Sequence, residues 1–291
     1  MSEPDPPGIP PAERIDLPGR GRTTMRRAAG PAGAPTVLLL HGWTVNAALN
    51  WFAAFEPLAA HFNVVAIDHR GHGRGIRTWR RFRLEDCADD AVALADELGI
   101  DRFIPVGYSM GGPIAQLTWR RHRERVEGLV LCATSRNFRG GRRGERAMFG
   151  MLGVASVAAR AVPRRVHRSV GERLLNLRYD QSDLGRWARQ QVLTNDTRMV
   201  VEAGQALGAF SSRDWIGSVD VPSAVVITEA DSVVPPYRQH RLADAIPGAT
   251  VHPVIGDHGV CATDPGAFVP VLIDACLDVA ARAAARSRHA G

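Results

Sequence analysis

Apolar positions along the chain fall into two patterns, short unbroken runs and longer stretches at helical spacing. Residues 36–40 are a continuous apolar run between Pro35 and Gly42, which predicts a strand buried on both faces of a parallel sheet. Residues 47–62 then carry Leu49, Phe52, Ala53, Phe55, Leu58, Ala59 and Phe62 at helical spacing. A second strand over 63–67 ends at Asp68-His69-Arg70-Gly71-His72-Gly73. Leu84, Cys87, Ala88, Ala91, Leu94, Ala95 and Leu98 form one helical stripe, and Gly99 stops it. The apolar residues 103–106 run into Gly107-Tyr108-Ser109-Met110-Gly111-Gly112, and a helical pattern follows from Pro113. Strands are predicted over 126–132, 223–228 and 250–254, and helices over 237–245 and 265–285. Residues 14–28 leave room for two short strands about the Pro18-Gly19 turn, an antiparallel edge. Strands alternating with helices imply parallel βαβ units.

The rhythm fails in two places. Residues 1–13 are rich in Pro and Gly and are expected to be disordered. Residues 136–213 carry no convincing strand. They open with an arginine- and glycine-rich stretch, 136–146, and continue as apolar or amphipathic helical segments such as 147–162 and 166–177. An insertion of this length between two sheet strands predicts a helical cap. The core is then 14–135 together with 214–291.

Length and composition narrow the function. A chain of 291 residues can bury a large core without staples. The net charge is +6, and every one of the 36 basic residues is arginine. The arginines are dispersed and match no nucleic-acid module, so no nucleic-acid partner is expected. Cys87, Cys132, Cys261 and Cys276 include no Cys-x-x-Cys pair, which argues against a zinc or redox motif and for reduced thiols. No apolar leader follows Met1 and no window is long enough to cross a membrane, so a cytoplasmic protein is expected.

Gly107-x-Ser109-x-Gly111 sits between a strand and a helix. In such a turn the serine must adopt strained dihedrals, which lift its hydroxyl above the sheet edge. A Cβ at Gly107 or Gly111 would collide with the neighbouring strand or helix.

With His41-Gly42-Trp43 after one strand, Asp68-x-Arg-Gly-His-Gly after the next, Glu229-Ala230-Asp231 and Gly256-Asp257-His258-Gly259, the chain resembles a serine-nucleophile, esterase/lipase-like member of the α/β-hydrolase fold superfamily. The order Ser, Asp, His, each after a strand, is the order of that fold. The resemblance implies a mostly parallel, doubly wound α/β sheet of about eight strands, with the cap inserted after the sixth. It implies Ser109 as nucleophile, His258 as its base and Asp231 as the residue orienting that base. Asp257 is a weaker candidate for the acid, because neighbouring side chains rarely converge on one target. The oxyanion hole falls to the backbone N–H groups of Trp43 and Met110. Of the remaining histidines in turns, His41, His69 and His72 read as structural. His41 and Tyr108 also flank the site, and with Met148 and Leu152 of the cap they are candidates to line the substrate pocket.

These residues imply a hydrolase of carboxylic esters, acting on a small apolar or lipid substrate through an acyl-enzyme, with no cofactor and no metal. Acyltransferase, lactonase and perhydrolase chemistry use the same triad, and a non-catalytic binding protein is the reading from another class. The 136–146 stretch allows transient contact with a lipid surface but no integral membrane association. The sequence leaves the oligomeric state open.

Overall fold

The computed structural model describes residues 5–138 and 182–290. Eight strands form one sheet: β1 (Glu13–Leu17), β2 (Gly21–Ala28), β3 (Thr36–Leu40), β4 (Asn63–Ile67), β5 (Ile104–Tyr108), β6 (Leu129–Cys132), β7 (Ser223–Thr228) and β8 (Thr250–Val254). Their spatial order is β1-β2-β4-β3-β5-β6-β7-β8. β1 pairs antiparallel with β2 and β2 with β4, and every later pairing is parallel. Chain order therefore reverses direction at β3, which lies between β4 and β5. Crevices that take ligands open at such switch points, outside the carboxyl ends of the strands.

The unbroken apolar runs follow from burial on both faces. In β3, Leu38 and Leu40 point to one core with Phe103, Ile114 and Trp119, while Val37 and Leu39 point to the other with Phe55, Phe268 and Leu272. The period-2 alternation of a strand divides the side chains between two layers of helices. One layer holds α3 (Leu84–Glu97) and α4 (Gly111–Arg121). The other holds α1 (Ala47–Trp51), α2 (Phe55–Ala59) and the carboxyl-terminal helix. Between β6 and β7 lie two described helices, α5 (Asp183–Leu193) and α6 (Thr197–Ala209). Both start on side-chain caps, from Ser182 and Asp196. The final elements are α7 (Pro236–Ala243), α8 (Val260–Thr263) and α9 (Pro265–Ala290). Among the described residues no helix is long and apolar enough to cross a membrane.

Three expectations shift in detail. The single helix over 47–62 is two short ones, α1 and α2. Pro57 supplies the reason: its ring lacks an N–H and clashes with the carbonyl four residues earlier, at Ala53. The strand expected from Val126 starts at Leu129, with Val126 contributing only an isolated bridge to Phe103. Residues 5–12 form no regular element but are tied to the body. Asp5 pairs with Arg26 at 2.8 Å and accepts from the Trp187 indole at 3.0 Å. Ile9 packs against the apolar layers.

Candidate active site

The turn after β5 is built as its glycines require. Ser109 has φ +51°, in the left-handed region where a side chain is strained, at a cost of about 1–3 kcal/mol. A Cβ on Gly107 would fall on the Gly111 carbonyl, and one on Gly111 on the carbonyl of Leu40. The turn is pinned from the next strand: Ser109 N–H donates to the Cys132 carbonyl at 2.9 Å, and Thr134 Oγ1 donates to the Ser109 carbonyl at 2.7 Å.

Three residues far apart in sequence converge there. His258 Nε2 lies 2.9 Å from Ser109 Oγ. His258 Nδ1 lies 2.6 Å from Asp231 Oδ2. Asp231 is buried on the loop after β7, and its carboxylate is surrounded by donors. Oδ1 accepts the N–H groups of Val233 and Val234, both at 2.8 Å, and Oδ2 accepts Thr228 Oγ1 at 2.8 Å. Gln239 Nε2, from α7, donates to Val234 O and Thr228 Oγ1 and reaches Asp231 Oδ2 at 3.4 Å. With Asp231 as acceptor, Nδ1 carries the imidazole proton and Nε2 is left to accept from the serine hydroxyl. Asp257 is exposed, and its Oδ1 accepts the Gly259 N–H within its own turn at 2.8 Å.

The loop after β3 covers the serine from the other side of the switch point. A Cβ on Gly42 would stand 3.5 Å from the Ser109 Cβ. Among the described residues, neither the Trp43 nor the Met110 backbone N–H donates to a partner. The loop is held by side chains instead. Asn50 Oδ1 accepts the Gly42 N–H at 2.8 Å, and the Trp43 indole donates to the Val200 carbonyl of α6 at 2.7 Å. Thr44, at φ +70°, is fixed by Asn195 Nδ2 on its carbonyl at 2.7 Å. The same amide accepts the Gly73 N–H through Oδ1 at 2.6 Å. Asn195 thus joins the loops that follow β3 and β4.

Two of the four expected pocket residues face inward and are occupied. His41 is fully buried; its Nε2 accepts the His69 N–H at 2.9 Å, so Nδ1 is the nitrogen that donates to the Gly42 carbonyl at 2.8 Å. Tyr108 is buried against Trp51 and Phe268, and its hydroxyl donates to the His258 carbonyl at 2.9 Å. Both brace the site rather than line an opening. Met148 and Leu152 lie outside the described residues.

His69 and His72 pack against His41, with ring centroids 4.2 and 5.5 Å from it. Burial drives all three imidazoles toward the neutral form, His69 to about 3, His72 to about 4 and His41 well below its usual range. Asp68 ends β4 as a turn residue, accepting the N–H groups of Ala47 at 3.0 Å and Arg74 at 2.8 Å. The four cysteines are free and buried, and burial pushes Cys261, near Tyr108, up to about 12. Such a thiol is packed and unreactive. Among the described residues no group of His, Cys, Asp and Glu is placed to hold a metal ion.

Sequence reasoning missed Thr228, Gln239, Thr134 and Asn195. Their roles are hydrogen bonds across 3 to 151 residues of chain separation, and no periodic pattern records them.

A doubly wound sheet with a strained serine turn at its switch point defines a nucleophile-elbow protein. The chain belongs to the alpha/beta hydrolase fold family, whose sequence model matches residues 35–265. It is 30% identical over 251 residues to a putative carbamate hydrolase, RutD, of Agrobacterium fabrum, covering 84% of this chain and 94% of that protein. It is 30% identical over 208 residues to the pimeloyl-[acyl-carrier protein] methyl ester esterase of Sodalis glossinidius, covering 70% and 78%. Among solved structures, the enol-lactonase of Burkholderia xenovorans superposes with a TM-score of 0.74 at 22% identity, covering 91% of this chain and all of that one. That last likeness speaks to the fold alone.

Proposed function

We propose that the protein is a serine hydrolase that cleaves a carboxylic ester through an acyl-enzyme, without a cofactor. The observation that carries this reading is the continuous hydrogen-bonded chain from Asp231 through His258 to Ser109. Ser109 Oγ attacks the ester carbonyl as His258 Nε2 takes its proton. Asp231 keeps the proton on Nδ1 and stabilises the imidazolium that forms. The tetrahedral oxyanion takes the N–H groups of Met110 and Trp43. Nε2–H then passes its proton to the departing alkoxide, leaving Ser109 acylated. Water, deprotonated by His258, attacks the acyl carbon and releases the acid.

Ester hydrolysis is supported by the named activity of the Sodalis relative. The Agrobacterium relative, matched over nearly its whole length, favours a second reading in which the same attack falls on a carbamate carbonyl. The substrate is a small molecule in either case, and an apolar cap over 136–213 would select its acyl portion.

The test is turnover on a panel of p-nitrophenyl esters, lactones and carbamates, with Ser109→Ala as control and circular dichroism to verify folding. Loss of turnover in a folded variant supports the reading; undiminished turnover overturns it. A preference for carbamates over every ester selects the second reading.

A further inference from the structure

We propose that Asn50 is a positioning residue for the oxyanion hole, clamping the peptide that precedes the Trp43 donor and tying it to the helix behind His258. The inference rests on the serine-hydrolase reading and adds a residue that never touches substrate. Asn50 lies on α1 and is buried. A buried amide is costly unless its oxygen and nitrogen both find partners. The Gly42 nitrogen is a donor, so the amide oxygen must face it, and the amide nitrogen is left for an acceptor. Asn50 Oδ1 accepts the Gly42 N–H at 2.8 Å, and Nδ2 donates to Cys261 Sγ at 3.8 Å. The helix that carries the amide is fixed at its start. Asp68 Oδ1 accepts the Ala47 N–H at 3.0 Å, and Asn46 Oδ1 accepts the Leu49 N–H at 2.8 Å.

The clamp matters because glycine has no side chain to limit rotation about its own dihedrals. The peptide joining Gly42 to Trp43 is trans and planar, so its carbonyl and its N–H point in opposite directions. His41 Nδ1 holds the carbonyl end at 2.8 Å. Asn50 holds the preceding peptide by its N–H. With both peptides that flank Gly42 held, rotation there cannot swing the Trp43 N–H out of its direction. Little space remains for such a swing: a Cβ on Gly42 would stand 3.3 Å from Asn50 Oδ1 and 3.5 Å from the Ser109 Cβ. The other end of the amide reaches across 211 residues of chain to Cys261. That cysteine belongs to α8, the short helix that directly follows the His258 turn. One side chain therefore couples the loop of the oxyanion donor to the segment of the base, and the two keep a fixed spacing about Ser109.

The experiment compares trifluoroacetophenone and acetophenone as inhibitors of the full chain, acting on whichever p-nitrophenyl ester, lactone or carbamate it turns over fastest. Ser109 Oγ adds to the carbonyl carbon of trifluoroacetophenone, its proton passes to His258 Nε2, and the carbonyl electron pair becomes an oxyanion. Acetophenone keeps its carbonyl and reports ground-state binding alone. Asn50→Leu holds the side chain's size and removes both polar ends. It should lower kcat by roughly 10- to 100-fold, short of the full loss of a donor, and weaken trifluoroacetophenone by a similar factor. KM and inhibition by acetophenone should stay within about twofold of the parent. Cys261→Ala removes only the acceptor of the amide nitrogen and should move kcat and trifluoroacetophenone the same way by a smaller factor. Equal weakening of both ketones, or no change in either, in a folded Asn50→Leu variant overturns the clamp and leaves the hydrolase reading standing. An unchanged Cys261→Ala variant overturns the tie to α8. If Asn50→Leu does not fold, amide hydrogen exchange in the unaltered chain decides: the Gly42 N–H should exchange as slowly as the amides of β3, and fast exchange overturns the clamp. A parent whose turnover survives Ser109→Ala overturns the hydrolase reading itself, and the inference with it.

Discussion

The Tyr108 hydroxyl donates to the backbone carbonyl of His258 across 150 residues of chain, at 2.9 Å. The residue preceding the serine thereby fixes the backbone of the histidine that faces it. Removing this bond in Tyr108→Phe keeps the ring packed against Trp51 and Phe268. Stability should fall by about 1 kcal/mol, read from urea unfolding. The turnover number should fall several-fold with KM little changed, because a looser His258 affects the proton transfer rather than substrate binding.

Asp231→Asn should leave the fold intact and lower the turnover number by roughly 10⁴-fold, the cost of the wrong imidazole tautomer. Gln239→Leu removes a donor behind the same carboxylate and should cost far less. If Asp257→Asn were the damaging substitution instead, the acid would have been misassigned.

Asn195→Ala should act at a distance on the loop that carries the Trp43 N–H. The amide bridges Thr44 and Gly73. Loss of one oxyanion donor costs about 10²–10³ in rate, so a partly released loop should lie below that range. Steady-state kinetics on the best ester provide the measurement, and Asn195→Asp, which keeps only the acceptor to Gly73, should not restore the rate.

Acid should destabilise the protein through the buried imidazoles. The folded state holds His41, His69 and His72 neutral, and the last two titrate at about 3 and about 4. The unfolded chain takes up protons as pH falls below about 6.5, while the folded chain does not. Each such histidine should therefore lower stability by about 1.4 kcal/mol per pH unit between pH 6.5 and its folded value, with no effect above that window. Thermal midpoints measured from pH 7 to 4 should fall, and the slope should be shallower in His72→Phe.

Gly111→Ala should abolish folding or leave a small folded fraction. The new methyl group would overlap the backbone carbonyl of Leu40 and crowd that of His41, and neither can rotate away as a side chain could. Soluble yield and circular dichroism would show it.

The sequence by itself determined the strand rhythm, the serine turn and the chain order of Ser109, Asp231 and His258. Each is written locally, in runs such as 36–40 or in the glycines at 107 and 111. Local pattern also misled, where Pro57 splits the helix expected over 47–62. Tertiary structure alone decided that Gln239 backs Asp231 and that Asn195 joins two loops. Those relations depend on where distant strands deliver their ends, and a hydrogen bond between residues 8 or 151 positions apart leaves no periodic trace in the chain.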